Sequence, residues 1–99
     1  MYTDLGCWKD KHSRALTSLE KKAGCDLNDH FRRRKNRIMK CYACAKKNSD
    51  IIVFALQAGG ECWGGTDETS YKKYGASTNC KTSGTGGGLA NHVYKIDQG

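Results

Sequence analysis

The sequence has no proline, no long apolar run and no Asn-x-Ser/Thr acceptor for N-glycosylation. Its longest apolar run covers residues 51–56, far short of the roughly 20 residues that a membrane-spanning helix needs. The lack of proline together with 12 glycines predicts a compact, turn-rich domain rather than a linker. We therefore expect residues 1–99 to form a single domain that does not insert into a membrane.

Acidic residues are also scarce, because 10 Asp and Glu stand against 17 Lys and Arg, which gives a formal net charge of +7. A positive surface of this kind attracts anions such as nucleic acid, sulfated glycans and acidic membranes. The densest basic segment could bind phosphate or sulfate, serve as a nuclear-localisation tract, or be the solvated start of a helix. It comprises Arg32, Arg33, Arg34, Lys35 and Arg37.

Cysteine, by contrast, is abundant and even in number, with six residues spread along the chain. A domain this short buries only about two thirds of the surface that its unfolded chain exposes, and three disulfides would add roughly 2–4 kcal/mol each. We therefore expect a secreted, extracellular protein, which argues against a nuclear role and a nucleic-acid partner. The cysteines are Cys7, Cys25, Cys41, Cys44, Cys62 and Cys80.

Two other uses of the cysteines are open at this point. Cys41 and Cys44 form a C-x-x-C pair, and Cys62 and Cys80 could supply the remaining ligands of a zinc site, although zinc modules usually present two such pairs. A redox pair would begin its helix directly after a strand, whereas this one lies inside a predicted helix. Among the 15 connectivities that six cysteines allow, layout alone favours Cys41–Cys62, because a helix packed on the following strand would bring the two together.

Apolar periodicity predicts one main helix over about residues 34–47. Its buried face consists of Ile38, Cys41, Tyr42 and Ala45, which recur at three- and four-residue intervals. Apolar runs predict strands at residues 2–10, 51–57 and 92–96, with a further strand starting at 61. Residues 14–20 show short helical spacing, and loops are expected at 24–32 and 64–88, the second with a helical turn at 71–74. These elements indicate a small α+β domain with one helix packed on a short antiparallel sheet.

No catalytic signature is visible, and we do not expect an enzyme. The histidines His12, His30 and His92 are scattered along the chain. The glycine-rich segment 84–88 lacks the Lys-Ser/Thr ending of a phosphate-binding loop. It is better explained as a close approach of two backbone segments, which glycine alone permits.

Aromatic residues offer a different chemistry, because an exposed ring among polar groups can stack on the apolar face of a sugar. Trp63, beside a glycine turn, and Tyr71 and Tyr74, in a polar loop, are the best candidates for exposure. The alternative for each ring is a place in the core or as an anchor for its loop.

Six sequence blocks, in order and covering nearly the whole chain, together resemble the small WSC-like cysteine-rich extracellular domain of marine invertebrates. The resemblance implies a secreted or cell-surface module with a helix on a small antiparallel sheet, of a class regarded as carbohydrate-binding. The blocks are Gly6-Cys7-Trp8-Lys9-Asp10, Arg14-Ala15-Leu16, Cys41-Tyr42, the stretch from Val53 to Cys62, Tyr71-Lys72-Lys73-Tyr74-Gly75, and Gly87-Gly88-x-x-Asn91-x-Val93-Tyr94.

The resemblance also implies a disulfide framework of Cys7–Cys80 and Cys41–Cys62. Cys25 and Cys44 are additional to that framework, and the simplest hypothesis joins them to each other. Such a bond would tie the loop at 24–32 to the helix.

These observations lead to the hypothesis of a non-catalytic lectin that recognises glycans through an exposed aromatic ring and polar side chains. Trp63 or Tyr74 would stack on the sugar. The hydrogen-bonding partners would be Asp10, Arg14, Gln57 and Asn91, although Arg14 and Asn91 could instead brace loops. A homodimer would fit this hypothesis, because one shallow sugar site is weak and a second supplies avidity.

Two rival functions and one cofactor question stay open. The chain could bind a sulfated glycan or an acidic surface through residues 32–37, or it could be an extracellular matrix or defence module that makes only protein contacts. No cofactor or metal site is predicted. Calcium is undecided, since none of the available carboxylates falls in a recognisable ligand loop; they are Asp4, Asp10, Asp26, Asp29 and Asp67.

Overall fold

The computed structural model describes residues 1–22, 25, 27, 29–81 and 83–97. Five strands form one antiparallel sheet in the order β1-β5-β3-β4-β2, and a single helix packs on it. The elements in chain order are β1 (Tyr2–Lys9), β2 (Thr17–Ser18), α1 (Arg37–Lys46), β3 (Val53–Gln57), β4 (Glu61–Gly65), a 3₁₀ turn at Ser70–Lys72 and β5 (Ala90–Ile96). This arrangement confirms the predicted α+β class. From the predicted loop at 24–32, Gly24, Asp26 and Asn28 lie outside the described residues.

Helix α1 follows the predicted periodicity but begins at Arg37 rather than at residue 34. Asn36 adopts a left-handed conformation with φ of 52°, so the residues before it form turns instead of a first helical turn. The buried residues of α1 are Cys41, Tyr42, Cys44 and Ala45. At its end, the Asn48 side-chain amide donates to the carbonyl of Cys44 at 2.9 Å, as expected for a residue that stops a helix.

The helical spacing at residues 14–20 is misleading, because this segment is extended and carries the edge strand β2. Leu16 and Leu19 are three residues apart, and in an extended chain such positions point to opposite sides. Leu16 accordingly packs with Trp63 and Val93 on one side of the sheet, and Leu19 packs with the helix cluster on the other. The same two leucines that suggested a helix therefore serve two separate cores.

Both faces of the sheet are buried, which explains why β3 is apolar at successive positions. Phe54 and Leu56 face helix α1, and Tyr2, Tyr42 and Tyr94 pack around Phe54. On the opposite face, Val53, Ala55, Trp63 and Val93 are covered by Leu16 and Tyr71. Among the described residues no α-helix covers this second face, so it is closed by loops and by the 3₁₀ turn that carries Tyr71.

Three disulfides join these parts, and their pairing is the one that the sequence suggested. Cys41–Cys62 links the buried face of α1 to β4, with the two Cα atoms 5.4 Å apart. Cys25–Cys44 ties the loop before α1 to the helix, and Cys7–Cys80 ties β1 to the glycine-rich loop. All six cysteines are therefore bonded, which contradicts the zinc and redox alternatives.

The glycine-rich segment makes a close backbone approach, as predicted. A Cβ atom built on Gly86, whose φ is +73°, would overlap the carbonyl oxygens of Leu56 and Ala90. Gly75 also has a positive φ, of +86°, but a Cβ atom there would meet nothing within 4 Å. The two glycines thus separate the effect of backbone strain from that of steric overlap.

We expect Gly86→Ala to lower the free energy of unfolding by at least about 2 kcal/mol, because it combines strain with overlap. Gly75→Ala should cost only the backbone strain of about 1 kcal/mol. Urea denaturation of both oxidised variants measures the difference. Equal losses would contradict the close approach at Gly86.

Candidate functional site

Four of the six residues predicted to bind a ligand meet at one end of the sheet. Asp10 directly follows β1, Gln57 ends β3, and Asn91 lies opposite Gln57 in β5. Arg14 reaches them from the loop that follows β1, where its Nη1 contacts both Asp10 and Gln57. All four lie on the side of the sheet that has no helix.

The Asp10 carboxylate is the centre of this group and accepts four hydrogen bonds. Its Oδ1 accepts from the backbone N–H groups of Lys11 and Ala15, both at 2.9 Å. Its Oδ2 accepts from Gln57 Nε2 at 2.8 Å and from Arg14 Nη1 at 3.3 Å. Burial alone would raise the pKa of this carboxyl, but the four hydrogen bonds outweigh burial and hold the pKa below its usual value.

The Gln57 side chain extends this network to the next strand. Its Nε2 also donates to Asn91 Oδ1 at 2.8 Å, and its Oε1 accepts from Arg14 Nη1 at 2.9 Å. Asp10, Gln57 and Asn91 are only 4, 3 and 0 % exposed. The expectation that these three side chains contact a sugar directly does not fit this burial, and they instead position the loop and Arg14.

Arg14 is the member of the network that reaches solvent, with 32 % of its side chain exposed. Only Nη1 donates to described residues, so Nε and Nη2 remain free of described acceptors. The guanidinium carbon lies 4.9 Å from the centre of the Trp63 ring. Arg14 therefore lies over this ring and keeps two donor nitrogens without a described acceptor.

Trp63 and Tyr71 are not exposed, which corrects the sequence expectation. They are 6 and 5 % exposed and belong to the core on the helix-free side of the sheet. Strand β4 continues through Trp63, so successive residues point to opposite faces: Cys62 faces the helix, and Trp63 faces the loop that carries Arg14. Trp63 is thus unable to stack on a sugar.

Tyr74 keeps a partly exposed ring and a fixed position. Its hydroxyl donates to the carbonyl oxygen of Ser13, one residue before Arg14. The ammonium groups of Lys11 and Lys73 lie 4.9 and 5.3 Å from the ring centre. We refer to the surface formed by Tyr74, Lys11, Lys73 and the outer edge of Arg14 as the Tyr74 face.

A second aromatic ring lies beside the Tyr74 face. The residues after Tyr74 run along the end of β1, where Lys9 N–H donates to the Gly75 carbonyl at 2.8 Å and Trp8 pairs with Ala76. Half-buried Trp8 packs edge-on against Tyr71, with ring centres 5.3 Å apart. The Lys72 ammonium lies 5.9 Å from the Trp8 ring, so aromatic rings and lysines alternate along this part of the surface.

The basic run is not a continuous patch, because Arg34 is buried. At 2 % exposure, its guanidinium pairs with both Glu20 oxygens, at 2.6 and 3.0 Å, and donates to the Asp29 carbonyl at 2.9 Å. Glu20 also accepts from the Cys62 backbone N–H at 2.7 Å. Arg34 thus braces the loop before α1 against β4, and its predicted role in polyanion binding is wrong.

Arg37 is also largely committed to structure. It donates to the backbone carbonyls of Arg32, Arg34 and Gly59, so it holds the turn before α1. Exposed cations remain from this run at Arg32, Arg33 and Lys35.

The described carboxylates do not form a metal site. Within residues 1–22, 25, 27, 29–81 and 83–97, no cluster of three or more His, Cys, Asp or Glu side chains could hold an ion. Asp67 caps the 3₁₀ turn: hydrogen bonds from Ser70 and then Thr69 lower its pKa to about 2. Asp26, one of the candidates for calcium, lies outside the described residues.

No known protein-family model matches this chain, and no curated protein matches it either. No helix among the described residues is long and apolar enough to cross a membrane. The structure and its chemistry therefore carry the functional argument.

The sequence alone did not identify Lys11, Ser13 and Lys73 as residues around Tyr74, nor Glu20 as the partner of Arg34. The segment Tyr71-Lys72-Lys73-Tyr74 gave a partial indication of this surface, because it places lysines next to aromatic residues. The contact of Tyr74 with Ser13 joins residues 61 positions apart, and no local pattern reveals it. Glu20 was equally hidden, since its partner Arg34 lies inside a run of like residues.

We expect Arg34→Ala to lower the free energy of unfolding by about 3–5 kcal/mol, because the Glu20 carboxylate loses its buried partner. Arg33→Ala removes the same charge from an exposed position and should change stability by less than about 0.5 kcal/mol. Chemical denaturation of the two oxidised variants tests this. Similar values would mean that the Arg34–Glu20 pair does not brace the loop.

Acid titration tests the Asp10 network. The folded-state pKa of Asp10 lies below the value of about 3.9 in unfolded chains, so its stabilising contribution is present above about pH 4 and is lost as the pH falls through the lower folded-state pKa. Asp10→Asn removes this group, and its urea midpoint should therefore fall less steeply than that of the parent between about pH 5 and pH 2. Parallel curves would contradict a hydrogen-bonded carboxylate at this position.

Proposed function

We propose that this chain is a secreted, non-catalytic carbohydrate-binding protein of the WSC-like type that binds glycans at the Tyr74 face. One observation carries the proposal: a partly exposed aromatic ring is tethered to the loop that carries Arg14, an arginine with two donor nitrogens that have no described acceptor. The sequence resemblance and the disulfide-stapled fold are consistent with it.

The Tyr74 face offers both kinds of contact that a sugar needs. A sugar ring has an apolar C–H surface that packs on an aromatic ring, and its hydroxyls accept hydrogen bonds from side-chain donors such as the Arg14 guanidinium. Lysines over an exposed ring are held by only about 0.5–1 kcal/mol, so Lys11 and Lys73 can move aside for a ligand.

Preorganisation strengthens this surface as a binding site. The hydroxyl of Tyr74 is bound to Ser13, and the inner edge of Arg14 is bound to Asp10 and Gln57. Side chains that are already ordered lose less conformational entropy when a ligand binds. The buried network thus supports recognition without contacting the sugar.

Three disulfides in a small domain are compatible with an extracellular location. We propose secretion on this basis.

A homodimer would double the number of sugar sites and add avidity. The proposal requires no calcium ion.

A second candidate is polyanion binding at the start of the basic run. Arg32 and Arg33 are exposed and line a shallow depression with His30. Without Arg34 and Arg37, however, this surface has fewer free cations than the sequence suggested.

A glycan array on the oxidised protein, with and without a chelator, tests the proposed function, followed by calorimetry on the best ligand. We expect Tyr74→Ala to weaken binding by about tenfold or more, because the stacking ring is lost. Tyr74→Phe keeps the ring but loses the hydrogen bond to Ser13, so its affinity should fall less than that of Tyr74→Ala.

Four results would overturn or change the proposal. Binding that survives Tyr74→Ala would place the site elsewhere, and dependence on Arg32 and Arg33 alone would favour the second candidate. An array with no binding would favour a module that makes only protein contacts. Loss of binding in chelator would add a calcium requirement that the proposal does not include.

A further inference from the structure

We infer that the glycan bound at the Tyr74 face is anionic, with sulfate or carboxylate groups recognised by Arg14, Lys11 and Lys73. This inference rests on the proposed function and specifies its ligand class. It differs from the polyanion hypothesis drawn from the sequence, because it assigns the anion to the loop after β1 and not to residues 32–37.

The first argument is uncompensated positive charge. Lys11, Lys72 and Lys73 have no carboxylate partner among the described residues. Their ammonium groups lie instead against the rings of Tyr74, Trp8 and Tyr71. Cations gathered around aromatic rings, without neutralising acids, favour a ligand that carries negative charge on a ring scaffold.

Three carboxylates on this side of the sheet are already engaged, whereas Glu61, opposite Gln57 at the start of β4, has no salt-bridge partner among the described residues. Asp10 is buried beneath the loop and holds Arg14. Glu68 pairs with Lys95 at 2.8 Å, and Asp67 accepts hydrogen bonds from Thr69 and Ser70. None of these acids pairs with Lys11, Lys72 or Lys73, so the positive charge of the three lysines is not neutralised by them.

The second argument is the orientation of Arg14. Its Nη1 is fixed by Asp10 and Gln57, at 3.3 and 2.9 Å, and its plane lies over Trp63. Nε and Nη2, which have no described acceptor, together form the other edge of the guanidinium plane. Two parallel donors on a planar edge match two oxygens of a sulfate or a carboxylate. A neutral sugar hydroxyl has a single oxygen and cannot accept from both donors in this way.

The third argument is the weakness of the competing surface. Arg34 is buried against Glu20, and Arg37 donates to three backbone carbonyls. Arg32 lies against the ring of Phe31, which is stacked on His30 with centres 4.4 Å apart. The Tyr74 face therefore combines free cations with an available ring better than residues 32–37 do.

Two charge-matched double variants test the inference. Lys11→Ala/Lys73→Ala and Arg32→Ala/Arg33→Ala each remove two exposed cations and reduce the net charge equally. The probe is a sulfated heparin-derived tetrasaccharide. Its uncharged control is the same tetrasaccharide after desulfation, N-acetylation and carboxyl reduction, and both are measured by calorimetry at two salt concentrations. We expect the first variant to bind the sulfated probe about tenfold or more weakly, and the second to change by less than about threefold.

A third variant separates specific recognition from charge alone. Arg14→Lys keeps the positive charge but lacks the planar edge with two donors, so it should also weaken sulfated-probe binding by about tenfold. Unchanged melting temperatures and native disulfides would show that each variant is folded. If Arg14→Lys perturbs folding, the lysine double variant alone decides the test, since Lys11 and Lys73 are exposed.

The results that would overturn the inference are distinct from failure of the proposed function. Equal affinity for the sulfated probe and the uncharged control would retain a carbohydrate-binding protein but remove its anionic preference. Equal losses in the two double variants would indicate diffuse attraction by net charge, and a larger loss in the arginine variant would move the site to residues 32–33. No binding to any glycan would overturn both proposals.

Discussion

The buried carboxylate of Asp10 fixes the helix-free side of this protein. A charge removed from water is tolerated only when hydrogen bonds replace its hydration, and here two backbone N–H groups, Gln57 and Arg14 provide them. The loop after β1 is thereby folded over the sheet. It covers Trp63, orients Arg14 and brings Ser13 to the hydroxyl of Tyr74. The proposed binding surface is a consequence of this one buried group.

The two sides of the sheet are closed by different chemistry. On the helix side, Cys41–Cys62 and Cys25–Cys44 are covalent, and the Arg34–Glu20 pair supports the loop that leads into α1. On the other side, Leu16 and Tyr71 cover an apolar core, and the Asp10 network completes the closure. The helix side also has the larger of the two apolar clusters, so its covalent links reinforce a packed core. The loop side keeps polar groups near the surface, where a ligand can use them.

The sequence was most informative where local periodicity and burial agree. The helix face, the buried strand β3 and the closing strand β5 follow from apolar spacing alone. Leu16 and Leu19 misled because a three-residue interval fits a helix turn and also two opposite faces of an extended chain. The prediction for Trp63 was wrong because a neighbouring glycine turn suggested exposure. The ring is covered by Arg14, which lies 49 residues earlier in the chain. Arg34 shows the same limit: composition reveals a charge but not its buried partner.

The most direct test of this account is an amide NMR titration of the oxidised protein with a sulfated oligosaccharide. The account predicts that chemical shifts change along the loop from Lys11 to Ala15 and around Tyr74, while residues 32–35 and the exposed side of α1 stay unperturbed. Changes confined to residues 30–35 would contradict it, because they would show that the basic run binds the ligand and that the Asp10 network has only a structural role.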